Sequence, residues 1–87
     1  MIERPSIVVA THDSITHRHL RGILHGIEEE GVPFRVERSD ELNPLALAHE
    51  ASLESRLGVG IGVSLDFVVI TTEKLPQGRP YIAHVLN

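Results

Sequence analysis

Between Ser6 and Glu37 the chain changes its apolar period twice, and this restricts the possible folds more than any other feature of the sequence. Residues 6–11, SIVVAT, form a short β-branched run after Pro5, the pattern of a buried strand. Leu20, Ile23, Leu24 and Ile27 then recur at helical spacing, behind Asp13 or Ser14 as an N-cap and ahead of Gly31 as a stop. After Gly31-Val32-Pro33 the period returns to two, with Phe34 and Val36 alternating with Arg35 and Glu37 as in a half-buried strand. Asn43 followed by Pro44 reads as a cap and a first-turn proline, and PLALAHEASLES continues with good helix formers. Gly58, Gly60 and Gly62 alternate with Val59, Ile61 and Val63, and DFVVITT follows so soon that the two runs predict a hairpin. Pro76 and Gly78 mark a loop before a terminal strand, YIAHVLN.

The expected architecture is therefore a single small α/β domain over residues 1–87, in the order β-α-β-α-β-β-β. Its sheet is mixed, mostly parallel and about five-stranded, with two helices covering it. Strands are placed near 6–11, 34–38, 58–63, 67–72 and 81–85, and helices near 14–30 and 44–55. The expected core is Ile7, Val9, Leu20, Ile23, Leu24, Ile27, Val36, Leu47, Val59, Ile61, Val68 and Ile70.

Eighty-seven residues suffice for one small core and no second domain. The 41% apolar and 23% charged content is that of a chain that folds. With 8 Lys+Arg against 12 Asp+Glu the net charge is −4, and no basic cluster interleaves with aromatics, which argues against nucleic acid and an anionic membrane surface as partners. The chain contains no cysteine, so thiol catalysis, disulfides and thiolate metal sites fall away. Met-Ile-Glu-Arg-Pro-Ser is not a leader sequence, and no apolar run reaches the ~18–20 residues of a membrane span. A cytoplasmic, soluble protein is the expectation.

Three candidate sites emerge. His12, His17 and His19 invite a metal reading, but a spacing of two on a helix splays side chains by ~200° and no HExxH pattern accompanies them; solvated histidines are the better reading. The glycines at 58, 60 and 62 precede a strand rather than a helix, so they predict close approach of another backbone rather than a phosphate loop. No serine lies in a GxSxG elbow, and no catalytic or cofactor-binding residue is assigned.

The third site is Glu28-Glu29-Glu30, three carboxylates at a helix end that prefers cations. With Leu20 at zero and ~100° per residue, the apolar stripe centres near ~350°, Glu29 falls at ~180°, and Gly22 and Gly26 at ~200° and ~240°. Two glycines on an outer helix face cost ~1 kcal/mol each relative to alanine. One reading is a docking surface of Gly22, Gly26 and Glu29, open to a partner's backbone and to a cation or donor; the other is a solvated helix end with Glu29 paired to His25.

GILHGIEEEGVPFRV, followed in order by SRLGVGIGVS, VVITTEKLP and a Pro-Tyr-Ile strand, resembles the dehydratase medium-subunit family. The resemblance runs from about Ser6 to Val85, and its most specific element is Glu28-Glu29-Glu30-Gly31-Val32-Pro33. It implies the Rossmann-like core of that family. It also implies, since the long extensions of dehydratase medium subunits have no counterpart here, likeness to the small subunit of diol and glycerol dehydratase-reactivating factors. Those subunits usually continue past the last strand with a further helix, and this sequence ends at Asn87. The resemblance implies an accessory rather than catalytic role, with two partners: an ATP-hydrolysing large subunit and the dehydratase, from which damaged cobalamin is released by subunit exchange. It further implies that Glu29 reaches a divalent metal, Mg2+, at the large-subunit interface, and that the location is cytoplasmic, with a bacterial microcompartment as a possible address. The alternative is a fragment or relative of a dehydratase medium subunit that contributes to cobalamin binding; a small scaffold is a third reading. Exposed sheet edge gives the isolated chain a route to a homodimer.

Overall fold

The computed structural model describes residues 5–15, 17–65, 67–75 and 82–85. Its elements follow the expected order: β1 (Ile7–His12), α1 (His17–Glu29), β2 (Phe34–Ser39), α2 (Pro44–Glu54), β3 (Val59–Ser64), β4 (Phe67–Thr72) and β5 (Ile82–Val85). They build one five-stranded sheet in the order β2-β1-β3-β4-β5. β1 pairs parallel with β2 and β3, whereas β3–β4 and β4–β5 are antiparallel. Four strands therefore run in one direction and β4 runs against them. The expected loop at Pro76 and Gly78, and Tyr81 at the start of the last strand, lie outside the described residues.

Because β2 and β3 flank β1 on opposite sides, right-handed crossovers put α1 and α2 on opposite faces of the sheet. One apolar cluster gathers Val9, Ile15, Leu20, Ile61 and Val63, with Ile7, Ile23, Leu24, Ile27, Val68 and Ile70 partly buried around it. The other joins Val8 and Ala10 to Leu47 and Ala51 of α2. The expected core captures Val9, Leu20 and Ile61 of the first cluster but not its Ile15 and Val63, and of the second only Leu47: Val8 is fully buried, as are Ala48 and Ser52, and Val69 nearly so. Ile7, Ile23, Leu24, Ile27, Val59, Val68 and Ile70 are half-buried rather than central. Val36 is exposed because β2 is an edge strand with neighbours on one side only.

Gly60 and Gly62 act through packing, as their place before a strand indicates, whereas Gly58, with φ +72°, lies in the turn that precedes β3. A Cβ on Gly60 would run into Ser52 N and Ala48 O, and one on Gly62 into Pro44 O and Ala48 N. The backbone of α2 thus lies directly on β3, and small residues, Ala48, Ala51 and Ser52, make that approach possible. α2 begins as its sequence dictates, with Asn43 Oδ1 accepting the Leu45 N–H at 2.9 Å and Pro44 in the first turn.

α1 begins differently from expectation. Asp13 and Ser14 lie in a turn before it, in which His12 Nδ1 accepts the Ser14 N–H at 3.0 Å and His12 O accepts the Ile15 N–H at 3.0 Å. That turn delivers Ile15 into the core at 7% exposure, and the helix starts at His17. At the other end Gly31, with φ +72°, stops it, donating its N–H to Glu28 O at 3.0 Å.

Candidate functional site

The outward face of α1 carries the residues that sequence geometry singles out. Glu29 closes the helix with its side chain 67% exposed, and its Oε1 lies 2.9 Å from His25 Nε2, one turn back and 70% exposed. Gly22 and Gly26 are exposed, and a Cβ on either would meet nothing within 4 Å. All three residues share the solvent side of the helix as the ~100° rotation requires, so both features hold together: the bare face exists, and its carboxylate is paired with His25.

Glu28 and Glu30 diverge from Glu29 and from each other. Glu28 flanks a small cleft with Leu20, Arg21, Leu24 and His25. Glu30 lies on the opposite flank, with Ile23, Gly26 and Ile27, at an apolar cleft of about 330 Å³ that reaches Val59, Val68 and Ile70. Helical rotation gives the two flanks, but which strands each flank faces depends on where α1 sits across the sheet.

Among the described residues no three His, Cys, Asp or Glu side chains gather as a metal site, and the side chains of His17 and His19 lie outside them. Glu29 on its own offers a hard cation one oxygen ligand, where Mg2+ takes an octahedral set of oxygens. The donor type suits such an ion, and a single carboxylate does not by itself make a site for it.

Two other groupings are accounted for by local structure. His12 Nδ1 lies 2.6 Å from Ser14 Oγ, but it already accepts the Ser14 N–H, so it is not a free base for that hydroxyl. On the α2 side, Arg35 reaches Glu37 at 3.3 Å and Glu54 at 3.7 Å. A side-chain hydrogen bond to Glu37, then desolvation, then repulsion from the Glu37 charge raise the Glu54 pKa above its ordinary 4.5, against the pull of Arg35. Sequence inspection misses this pair because β2 and the end of α2 are distant along the chain. No helix among the described residues is long and apolar enough to cross a membrane.

The sequence profile of the dehydratase medium subunit family matches residues 4–86. The chain is 40% identical over 58 residues to the propanediol dehydratase-reactivating factor small subunit of Citrobacter freundii, covering 67% of this chain and 50% of that protein. It is 34% identical over 76 residues to the diol dehydratase-reactivating factor small subunit of Klebsiella michiganensis, covering 87% and 60% respectively. In solved structures it superposes on a chain of diol dehydratase-reactivating factor complexed with ADP and Mg2+, with TM-score 0.86 and 31% identity over 95% of this chain and 76% of that one. A chain of glycerol dehydratase reactivase gives TM-score 0.85 and 26% identity over 94% and 75%. The chain spans about half to three-fifths of the length of these curated relatives. On its profile, its relatives and its fold, this chain belongs to the dehydratase medium subunit family.

Proposed function

We propose that this chain serves as the small subunit of a diol or glycerol dehydratase-reactivating factor. In this reading it is a non-catalytic binding subunit. An ATP-hydrolysing large subunit does the chemical work, and exchange of this chain against a dehydratase subunit opens the enzyme so that damaged cobalamin leaves. The observation that carries the reading is the likeness of nearly the whole fold to a chain of a reactivating factor complex.

In this reading the outer face of α1 meets the large subunit. The His25–Glu29 pair is exposed on both sides, and such pairs contribute ~0–1 kcal/mol, so Glu29 exchanges its partner at little cost. The helix terminus adds negative potential at that carboxylate. A Mg2+ ion held mainly by the large subunit and its nucleotide takes one oxygen from Glu29, while bare Gly22 and Gly26 let the partner's backbone come close.

The test is association of the chain with a reactivating factor large subunit, with and without magnesium. Glu29→Ala should leave the fold intact and weaken magnesium-dependent association by about 1–3 kcal/mol, while Glu28→Ala and Glu30→Ala retain the magnesium dependence. Equal affinity of Glu29→Ala and the parent in both conditions refutes the role of Glu29, and failure of the parent to bind refutes the reading itself. The family also includes the dehydratase medium subunit; a chain of that kind contributes to cobalamin binding, so titration followed by the visible spectrum separates the two readings, the reactivating one giving no tight complex.

A further inference from the structure

Among the described residues β2 is an edge strand, with β1 on one side and no strand on the other. Two hydrogen bonds fix which way its backbone faces. Pro33 O accepts the Ile7 N–H at 2.9 Å and Ser39 O accepts the Asp13 N–H at 3.0 Å, so the odd-numbered residues direct their backbone groups to β1. Phe34, Val36 and Arg38 therefore direct N–H and C=O to the open edge. The rest of the chain leaves from elsewhere. Residues 76–81 join β4 to β5 and residues 86 and 87 follow β5, at the far side of the sheet, four strand spacings or about 19 Å away, while residues 1–4 lead into β1.

The side chains of β2 alternate between the two faces. Arg35 and Glu37 stand beside Val8 and Ala10 on the α2 face, and Phe34, Val36 and Arg38 beside Ile7, Val9 and Thr11 on the α1 face. Neither helix closes the edge: Val36 is 37% exposed, and the Arg35 and Glu37 side chains are 43% and 41% exposed. Such an edge accepts another strand, and antiparallel pairing sets outward residues opposite outward residues. For two copies of β2 the charges then decide between the registers this allows. Centred on Arg35 or Arg38, the pairing puts arginine against arginine; centred on Glu37, glutamate against glutamate; centred on Phe34, it sets Arg35 opposite Pro33 and leaves half the strand unpaired. Centred on Val36, it places Arg35 opposite Glu37 of the second copy, twice over, at the non-hydrogen-bonded positions where side chains come closest.

We infer that β2 is where two copies of this chain associate, their edge strands pairing antiparallel about a twofold axis at Val36 into one continuous sheet. The pairing satisfies every outward backbone group of the strand, by exchange between the two Val36 residues and between Phe34 and Arg38, and closes the open edge. Arg35 already reaches Glu37 and Glu54 of its own chain at 3.3 and 3.7 Å, so contacts between copies extend a charge network that is already formed. A strand of an unrelated polypeptide would satisfy the same backbone groups, but only a second copy brings the matching alternation of Arg35 and Glu37. The inference stands independently of the reactivating role and is tested on this chain alone.

The chain has no cysteine, so Val36→Cys can trap only itself. Hydrogen-bonded antiparallel partners stand about 5.5 Å apart at Cα, inside the ~4.4–6.8 Å range of a disulfide. Under mild oxidation this variant should give a covalent dimer on a denaturing gel, whereas Leu53→Cys, exposed on α2, should not. In sedimentation the parent should dimerise with rising concentration. Arg35→Glu and Glu37→Arg each set like charges opposite one another and should weaken the dimer about tenfold, with circular dichroism showing that both are folded. An equimolar mixture of the two should recover the parental affinity as a mixed dimer, since glutamates of one copy then meet arginines of the other. The cysteine trap keeps both charges and reads the register however the charge variants fold. A parent that stays monomeric up to ~1 mM overturns the inference and leaves the edge to another polypeptide or to a segment of the chain itself. So does a dimer in which Val36→Cys crosslinks no faster than Leu53→Cys, which puts the contact elsewhere, or a mixture no tighter than its components, which denies the register.

Discussion

Helix α2 lies on Gly60 and Gly62 so closely that an added methyl on either would meet its backbone, while on the other face α1 stands off on leucine and isoleucine side chains and carries two glycines that touch nothing. Glycine thus has opposite meanings on the two faces. Under α2 it removes side chains so that two backbones meet; on α1 it removes side chains where no neighbour stands. Small residues against glycine leave no gap between α2 and β3, where Leu47, Ala48 and Ala51 are almost completely buried, and the apolar cleft of about 310 Å³ on this side lies beyond that contact, between the start of α2 and Leu65, Phe67 and Val69. Long aliphatic side chains over a sheet wider than the helix leave a cleft. The α2 face holds the closer helix–sheet contact, and the α1 side carries the surface proposed for binding the large subunit.

The largest expected effect tests the closed face. Gly60→Ala places a methyl against Ser52 N, Ala48 O and, at 2.8 Å, Ala51 C, all backbone atoms that cannot rotate aside. Gly62→Ala meets Pro44 O, Ala48 N and Leu47 Cβ in the same way. Each should destabilise the domain by about 3 kcal/mol, read as a lower urea midpoint. A loss below ~1 kcal/mol in both would show that α2 lifts easily and that the two faces differ less than their geometry indicates.

The same substitution on α1 should have the opposite sign. Gly22→Ala and Gly26→Ala add methyls that meet nothing and remove a residue that disfavours helix, so each should stabilise the isolated chain by up to ~1 kcal/mol. Gly26→Ala should also weaken association with a large subunit while leaving the fold more stable. A destabilised Gly26→Ala would mean that this flank is already occupied.

Much of this contrast is legible in the sequence. Asn43-Pro44 marks the start of α2, Gly31 the end of α1, and alternating glycines in a strand predict a backbone packed against them. The stripe of Leu20, Ile23, Leu24 and Ile27 gives α1 its inner face and turns Glu29 outward. Period alone does not show how far a helix lies across a sheet, so Val59, Val68 and Ile70 read as core although they line a cleft. Val8 and Val69 are overlooked for a related reason: their face is closed by the alanines and serine of α2, whose weak apolar contrast does not announce a buried helix. The turn at Asp13-Ser14 escapes notice because residues that favour helix caps also favour turns, and Ile15, which is buried, stands outside the helical stripe.

A smaller effect belongs to the end of the β3–β4 hairpin. Ser64 pairs with Phe67, and Leu65 between them has φ 55°, a left-handed conformation costing ~1–2 kcal/mol for a residue with a Cβ. Leu65 is 55% exposed and borders an apolar cleft with Leu45, Phe67 and Val69, so little burial offsets that cost. Leu65→Gly removes the strain but gives the unfolded chain more freedom, ~0.5–1 kcal/mol. The net expectation is a gain of about 0.5 kcal/mol, seen as a small rise in the thermal midpoint. A fall would show that this leucine contributes to closing the α2 face at its rim.

The smallest effect locates the limit of the closed face, where the end of α2 meets the edge strand. There the Glu54 side chain is 50% exposed, and hydrogen bonding to Glu37, desolvation and the Glu37 charge raise its pKa above 4.5. A raised folded-state pKa means that the folded chain holds this proton more tightly than the unfolded chain does. The associated stability is complete below the ordinary value of 4.5 and is lost as pH rises through the folded value above it. At neutral pH the parent therefore carries a carboxylate facing Glu37 with Arg35 as partial compensation, whereas Glu54→Gln carries a neutral group of the same shape. The variant should be more stable at pH 7 by about 0.3 kcal/mol, the scale of screened surface charges, and this advantage should vanish below pH ~4. Paired denaturation curves at the two pH values measure it. An advantage for Glu54→Gln that stays constant with pH would trace its effect to packing and extend the closed face to the sheet edge; a loss at neutral pH would make the Arg35 contact the dominant interaction there.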